Sequence, residues 1–104
     1  MIYLLDSPPH STLLETLIGS LTNESVKLLE VDSQPSYRIL CSVILNLMRI
    51  VLPNDIVLCP WLTSKDNRIN DMFSELADYC FVVVAAGNTN ENIEKYSPTS
   101  CLLY

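Results

Sequence analysis

Short, continuously apolar runs alternate along the chain with segments of helical period. The runs cover residues 2–5, 26–31, 55–59 and 80–86, with a fifth at 101–104. Runs 2–5 and 80–86 are apolar throughout, and 26–31 and 55–59 are interrupted only by Lys27, Glu30 and Asp55, so none alternates strictly, which is the pattern of strands covered on both faces. Such strands separated by helices predict an α/β fold with a parallel sheet and crossover helices. The expected architecture is a small three-layer domain with a four- to five-stranded parallel sheet. Its spatial order should be second, first, third, fourth and then fifth strand, joined by right-handed crossovers.

The helical segments are not alike. The first is expected to start at Thr12, because Thr12 and Glu15 have capping-box spacing and Leu13, Leu14, Leu17, Ile18 and Leu21 then share one face. The third, near 67–79, places Ile69, Met72, Phe73, Leu76 and Cys80 on one stripe with Arg68, Asp71, Glu75 and Asp78 opposite. Both fit helices that cover a sheet. In the second, near 36–52, the polar residues Arg38, Ser42, Asn46 and Arg49 occupy only about 80° of arc. That leaves more apolar surface than one sheet face can bury, so Leu45 and Leu47 are expected on an outward half that meets a partner.

Composition narrows the field. The 104 residues, nearly half of them apolar, fit a single domain spanning 1–104. Twelve acidic residues against six Lys and Arg leave a net charge of −6, which argues against a nucleic-acid partner, since phosphate binding relies on clustered cations. No apolar stretch approaches the roughly 20 residues of a membrane span. Met1 leads directly into an apolar run with no basic region before it, so a cytoplasmic location is expected. Cys41, Cys59, Cys80 and Cys101 lie about twenty residues apart, without the close pairs of zinc sites, and read as buried free thiols. No metal and no cofactor is expected.

A family resemblance enters at the end of the fourth run. Phe81-Val82-Val83-Val84-Ala85-Ala86-Gly87-Asn88, followed by Tyr96-Ser97-Pro98-Thr99-Ser100, resembles the strand ending in A-A-G-N and the following Y-[SP]-P segment of subtilisin-like serine proteases. Further matches are Val26-Lys27-Leu28-Leu29, the helix opened by Ser36-Tyr37, and Asn54-Asp55-Ile56-Val57-Leu58. They are similar to the family's V-K-V-L strand, its next helix and its D-V-I strand, in the same order. Ile2-Tyr3-Leu4-Leu5-Asp6-Ser7 resembles the strand that ends in the triad aspartate. The resemblance implies a truncated, subtilisin-like core in which Asp6 and Asn88 are relic positions. In the family that Asn places its amide in the oxyanion hole.

The departures matter as much as the matches. The family's H-G-T-H motif belongs between the first two strands and is missing there, and its G-T-S-M-A nucleophile motif lies beyond the region that matches Tyr104. Acyl transfer needs a nucleophile with a base in reach, so the chain is not expected to be an enzyme on its own. Where the family has S-L-G-G in its substrate-binding strand, this chain has Pro60-Trp61-Leu62-Thr63. Pro60 lacks an amide donor, and larger side chains take the place of glycines.

Asp6 stands where α/β folds place functional groups, although an Asp accepting turn amides is common. His10, four residues on, is the single histidine and reads as solvated or bonded to Asp6. Asn88 fits an oxyanion relic or a sharp strand-end turn. Trp61 fits either a partner anchor or a filling for the vacated cleft.

The leading expectation is a non-catalytic pseudo-protease that binds a protein or peptide, or forms a homo-oligomer, through the second helix and through Pro60, Trp61 and Leu62. One alternative is a split-protease subunit whose Asp6 and Asn88 are completed by a partner chain. Another is a purely structural subunit of a larger assembly.

Overall fold

The computed structural model describes residues 1–32, 35–61, 63–85 and 95–98. Five elements come first: β1 (Ile2–Asp6), α1 (His10–Leu21), β2 (Val26–Glu30), α2 (Tyr37–Ile50) and β3 (Ile56–Cys59). They are followed by β4 (Thr63–Ser64), α3 (Asn67–Leu76), β5 (Phe81–Val84) and β6 (Tyr96–Ser97). Four strands form a parallel sheet in the order β2-β1-β3-β5, the order read from the sequence. The expected strand at 101–104 lies outside the described residues, and so does Asn88. No described helix is long and apolar enough to cross a membrane.

Because β1 is central and the chain reverses direction from β2 to β3, the helices divide between the two faces. One face carries α2 and α3, which pack against each other over Tyr3, Leu5, Val57 and Cys59. This is the core: Leu40, Ile44 and Leu47 of α2 interlock there with Ile69, Phe73 and Leu76 of α3. Among the described residues the other face carries α1, which lies over β1 and β2.

The helix ends follow from local chemistry. Ser36 Oγ accepts the Ile39 amide at 3.3 Å to cap α2, and Asp66 Oδ1 accepts the Arg68 amide at 2.9 Å to cap α3. For α1 the expected Thr12 cap is corrected. The helix starts at His10 behind Pro9, whose φ of −83° and ψ of −13° are already helical, and Pro9 supplies no side-chain cap. Thr12 is therefore inside the helix, and its carbonyl accepts the Thr16 hydroxyl at 3.0 Å. A proline with φ pre-set for helix starts the first turn earlier than the capping-box spacing implies.

A small antiparallel ribbon, which the strand pattern does not reveal, joins β4 to β6. Buried Ser97 anchors it: its Oγ accepts the Asp66 amide at 2.8 Å and donates to the Asp66 carbonyl at 3.2 Å. This ties the ribbon to the start of α3.

Candidate functional site

The carboxyl ends of the parallel strands gather Asp6 with the start of α1, and, one strand over, the Pro60-Trp61 turn. Asp6 ends β1, buried, with its carbonyl accepting the Val31 amide at 3.0 Å. The loop after it is short, so the first residue of α1 lies directly above. His10 Nδ1 stands 2.6 Å from Asp6 Oδ2. A carboxylate accepts, so Nδ1 carries the proton, and in the neutral ring Nε2 is left as the basic nitrogen. The imidazole side chain is 59% exposed, while the Asp6 side chain is 10% exposed. A buried acid thus orients a solvent-facing ring, the relation an aspartate has to a general base in acyl-transfer sites.

Below this contact α1 is rolled off its apolar stripe. With His10 held over Asp6 and the Ser11 amide donating to the Ser7 carbonyl at 3.1 Å, Ser11 is turned into the sheet. Ser11 Oγ is fully buried with no hydrogen-bond partner among the described residues. Leu14 and Ile18 follow it inward and are half-buried, whereas Leu13, Leu17 and Leu21 are 70%, 54% and 77% exposed. The expectation of a helix with its whole apolar stripe on the sheet is corrected here. The side that points in is the one carrying Ser11, Leu14 and Ile18, and the leucines at 13, 17 and 21 point away from the sheet or to its side.

Trp61 is 7% exposed, and its indole N–H donates to the Leu5 carbonyl at 2.9 Å. Its ring meets Phe73 edge-on, with centroids 6.3 Å apart and planes at 80°. This resolves the two readings of Trp61: the side chain is part of the core, satisfied at its one polar atom, and presents no anchor at the surface. Pro60 beside it is half-buried, and Leu62 lies outside the described residues.

On α2 the two expected interface residues separate. Leu45 is 55% exposed, but Leu47 is completely buried in the core, so its outward placement is corrected. The helix is turned so that Leu40, Ile44 and Leu47 face the sheet, and α3 then covers part of the surplus apolar arc. The remainder is split, with Leu45 on one side of the polar strip and Ile39 and Ile50 on the other.

Two further carboxylates serve the fold. At the opposite end of the sheet, Asp55 Oδ2 accepts the Leu52 amide at 2.9 Å, and Oδ1 lies 3.3 Å from the Met1 ammonium. The Leu52 amide first, and the ammonium second, hold this carboxyl below its ordinary range against the opposing effect of burial. The Arg68 guanidinium, bonded to both carboxylate oxygens of Asp66, lowers that acid in the same way and also stacks 4.2 Å above the Tyr37 ring.

Cys41 and Cys80 are free thiols, and burial pushes Cys80 up, away from reactive thiolate. Among the described residues no three His, Cys, Asp or Glu side chains gather as metal ligands. Comparison with known proteins returns no match to a family model, a curated protein or a solved structure.

Proposed function

We propose that this chain is a non-catalytic, subtilisin-like binding subunit, a pseudo-protease whose surface rather than whose old site is in use. The observation that carries the reading is apolar surface left open around a completed core. Leu13, Leu17 and Leu21 on α1 and Phe81 and Val83 on β5 are all about half exposed or more, although Trp61, Phe73 and Leu76 are buried. Monomeric surfaces rarely carry contiguous apolar patches beyond a few hundred Å² without a binding role. The order of motifs along the chain supports the subtilisin-like part, and the replacement of the substrate-binding glycines by Pro60 and core-packed Trp61 supports the non-catalytic part. Free thiols fit the reducing environment of the cytoplasm.

One specific observation favours a second reading. The 2.6 Å contact through Nδ1 leaves His10 Nε2 directed away from Asp6, as a base awaiting a nucleophile would be. In a split protease the partner chain would bring the serine, and Asp6 and His10 would come from this one, with Asn88 as a further relic outside the described residues.

A fluorophosphonate probe separates the two. The non-catalytic reading expects no serine labelling and no peptidase activity from the purified chain, with or without proteins co-purified from its native source. The split-enzyme reading expects labelling of the partner's serine in the complex, falling by orders of magnitude with Asp6→Ala. That second outcome would overturn the first reading.

A further inference from the structure

The open apolar surface is continuous in one place. Residues paired across a parallel sheet share a face, so Phe81, Ile56, Ile2 and Val26 form one row on the α1 side, and Val83, Leu58, Leu4 and Leu28 form the next. Burial falls along both rows. Ile2 and Leu4 are buried near α1, Ile56 and Leu58 are half-buried, and Phe81 and Val83 at the far strand are 61% and 48% exposed. Thus α1 covers one half of this face, and among the described residues nothing covers the half over β3 and β5.

The side of α1 that overhangs is the one next to that open half. With Ser11 and Ile18 pointing into the sheet, Leu17 and Leu21 project about 80–120° away around the helix. In a right-handed β1-α1-β2 crossover this is the direction of β3 rather than of the β2 edge. The result is a trough with the leucines of α1 as its wall and Ile56, Leu58, Phe81 and Val83 as its floor. Two strands span roughly 10 Å and a helix is roughly 10 Å across, so the trough has room for one helix.

We propose that the trough is filled by α1 of a second copy of this chain, in a twofold dimer in which each α1 lies over the other copy's β3 and β5. Three features point to a second copy. The surface is self-complementary, since each copy offers one exposed apolar helix and one vacant half-face on the same side of its sheet, as an isologous contact requires. Although the chain carries a net charge of −6, α1 has Glu15 as its one acidic residue, half-buried at the sheet side. Its outer surface is Thr12, Thr16, Gly19 and Ser20, small groups that let a second sheet approach without opposing charges. Finally, Leu13, Leu17, Leu21, Phe81 and Val83, all about half exposed or more, together expose on the order of 500 Å², more than half of the roughly 800 Å² per partner of a stable contact. The dimer deepens the binding role proposed above, naming its partner and its surface.

Sedimentation equilibrium of the full chain tests it. The wild type should sediment at twice the 11.7 kDa chain mass, and raising the salt should strengthen association, because like-charged copies repel through solvent. Leu17→Lys and Phe81→Glu, both at exposed positions, should each halve the mass without changing the circular dichroism spectrum. Mixing the two variants should restore a dimer, since one contact then pairs opposite charges and the other is native. A wild-type monomer at high concentration overturns the dimer. Two other outcomes do so as well: a dimer indifferent to both variants, or a monomer whose denaturation midpoint falls strongly with both, which would mean that the chain's own residues fill the trough. None of these outcomes touches the non-catalytic reading, which the fluorophosphonate probe decides.

Discussion

On the α2–α3 side of the sheet, Tyr3, Leu5, Val57 and Cys59 meet two helices that also pack on each other, and Trp61 closes the end of that layer with its N–H bonded to Leu5. On the α1 side the same strands present Ile2, Leu4, Ile56, Leu58 and Phe81, and among the described residues one helix lies on that face, rolled off its own apolar stripe. The two faces are built from equally apolar strands, so hydrophobicity does not distinguish them. What distinguishes them is how many helices the connections supply: two crossovers run to one side, and one to the other. Burial of this kind is set by topology, and an apolar strand position is an offer of a core rather than a core.

The comparison is tested most severely on its completed side. Trp61→Ala removes a large side chain that packs on Phe73 and leaves the Leu5 carbonyl without its donor, and should cost about 3–5 kcal/mol in equilibrium denaturation. A loss under about 1 kcal/mol would mean that this face is no better packed than the other.

Much of this organisation is legible in the chain itself. The continuous apolar runs place all four strands, and their order follows from crossover rules. Helix boundaries at Ser36 and Asp66 are marked by residues that cap. The contents of the candidate site are less legible, because they depend on groups brought together by folding. The Asp6–His10 contact needs the short Pro8-Pro9 connection to put α1 directly above β1, and its spacing alone leaves the histidine's direction open. The roll of α1 is not in the periodicity either: Leu13, Leu17 and Leu21 share an apolar face with Leu14 and Ile18, and the spacing does not say which edge of that face turns outward. The burial of Leu47 is not legible for a related reason: a helix with an 80° polar strip is apolar nearly all round, and its pattern does not say which apolar residues α3 and the sheet will take. Ser97, in a segment two strand residues long, owes its role to Asp66, thirty-one residues away in sequence.

A gentler probe comes from pH, because the carboxylates that are held low serve the ends of the completed layer. Asp55 fastens the turn before β3, and Asp66 caps α3. Both have pKa values lowered in the folded chain, so folding is favoured by their ionisation, and that contribution is fully present above the unfolded carboxylate range near pH 4. It should be lost progressively as the pH falls below about 4 and through the folded values. The Met1 ammonium is raised, chiefly by its hydrogen bond to Glu24, so its contribution is present below about pH 8 and fades as the pH rises through its folded value. Denaturation midpoints should therefore hold a plateau between these limits. In Asp66→Asn the acid-side fall should be shallower, since one of the two carboxylates no longer titrates; an unchanged slope would remove Asp66 from this account.

The smallest effect is expected from α2. The exposed apolar residues of α2 form two flanks, with Leu45 on one and Ile39 and Ile50 on the other, and Arg38, Ser42, Asn46 and Arg49 run between them. A partner laid along this helix would have to desolvate the two arginines to reach both flanks, a cost the open trough beside α1 does not impose. Leu45→Glu should accordingly shift stability by no more than about 0.5 kcal/mol, as ordinary surface changes do, and should leave the sedimenting mass as it is in the wild type. Leu47→Ala, two residues on, should cost about 2–5 kcal/mol by emptying part of the core. If Leu45→Glu instead abolished assembly while Leu17→Lys did not, the contact surface would belong to the α2 side, and the trough would be the face left to solvent.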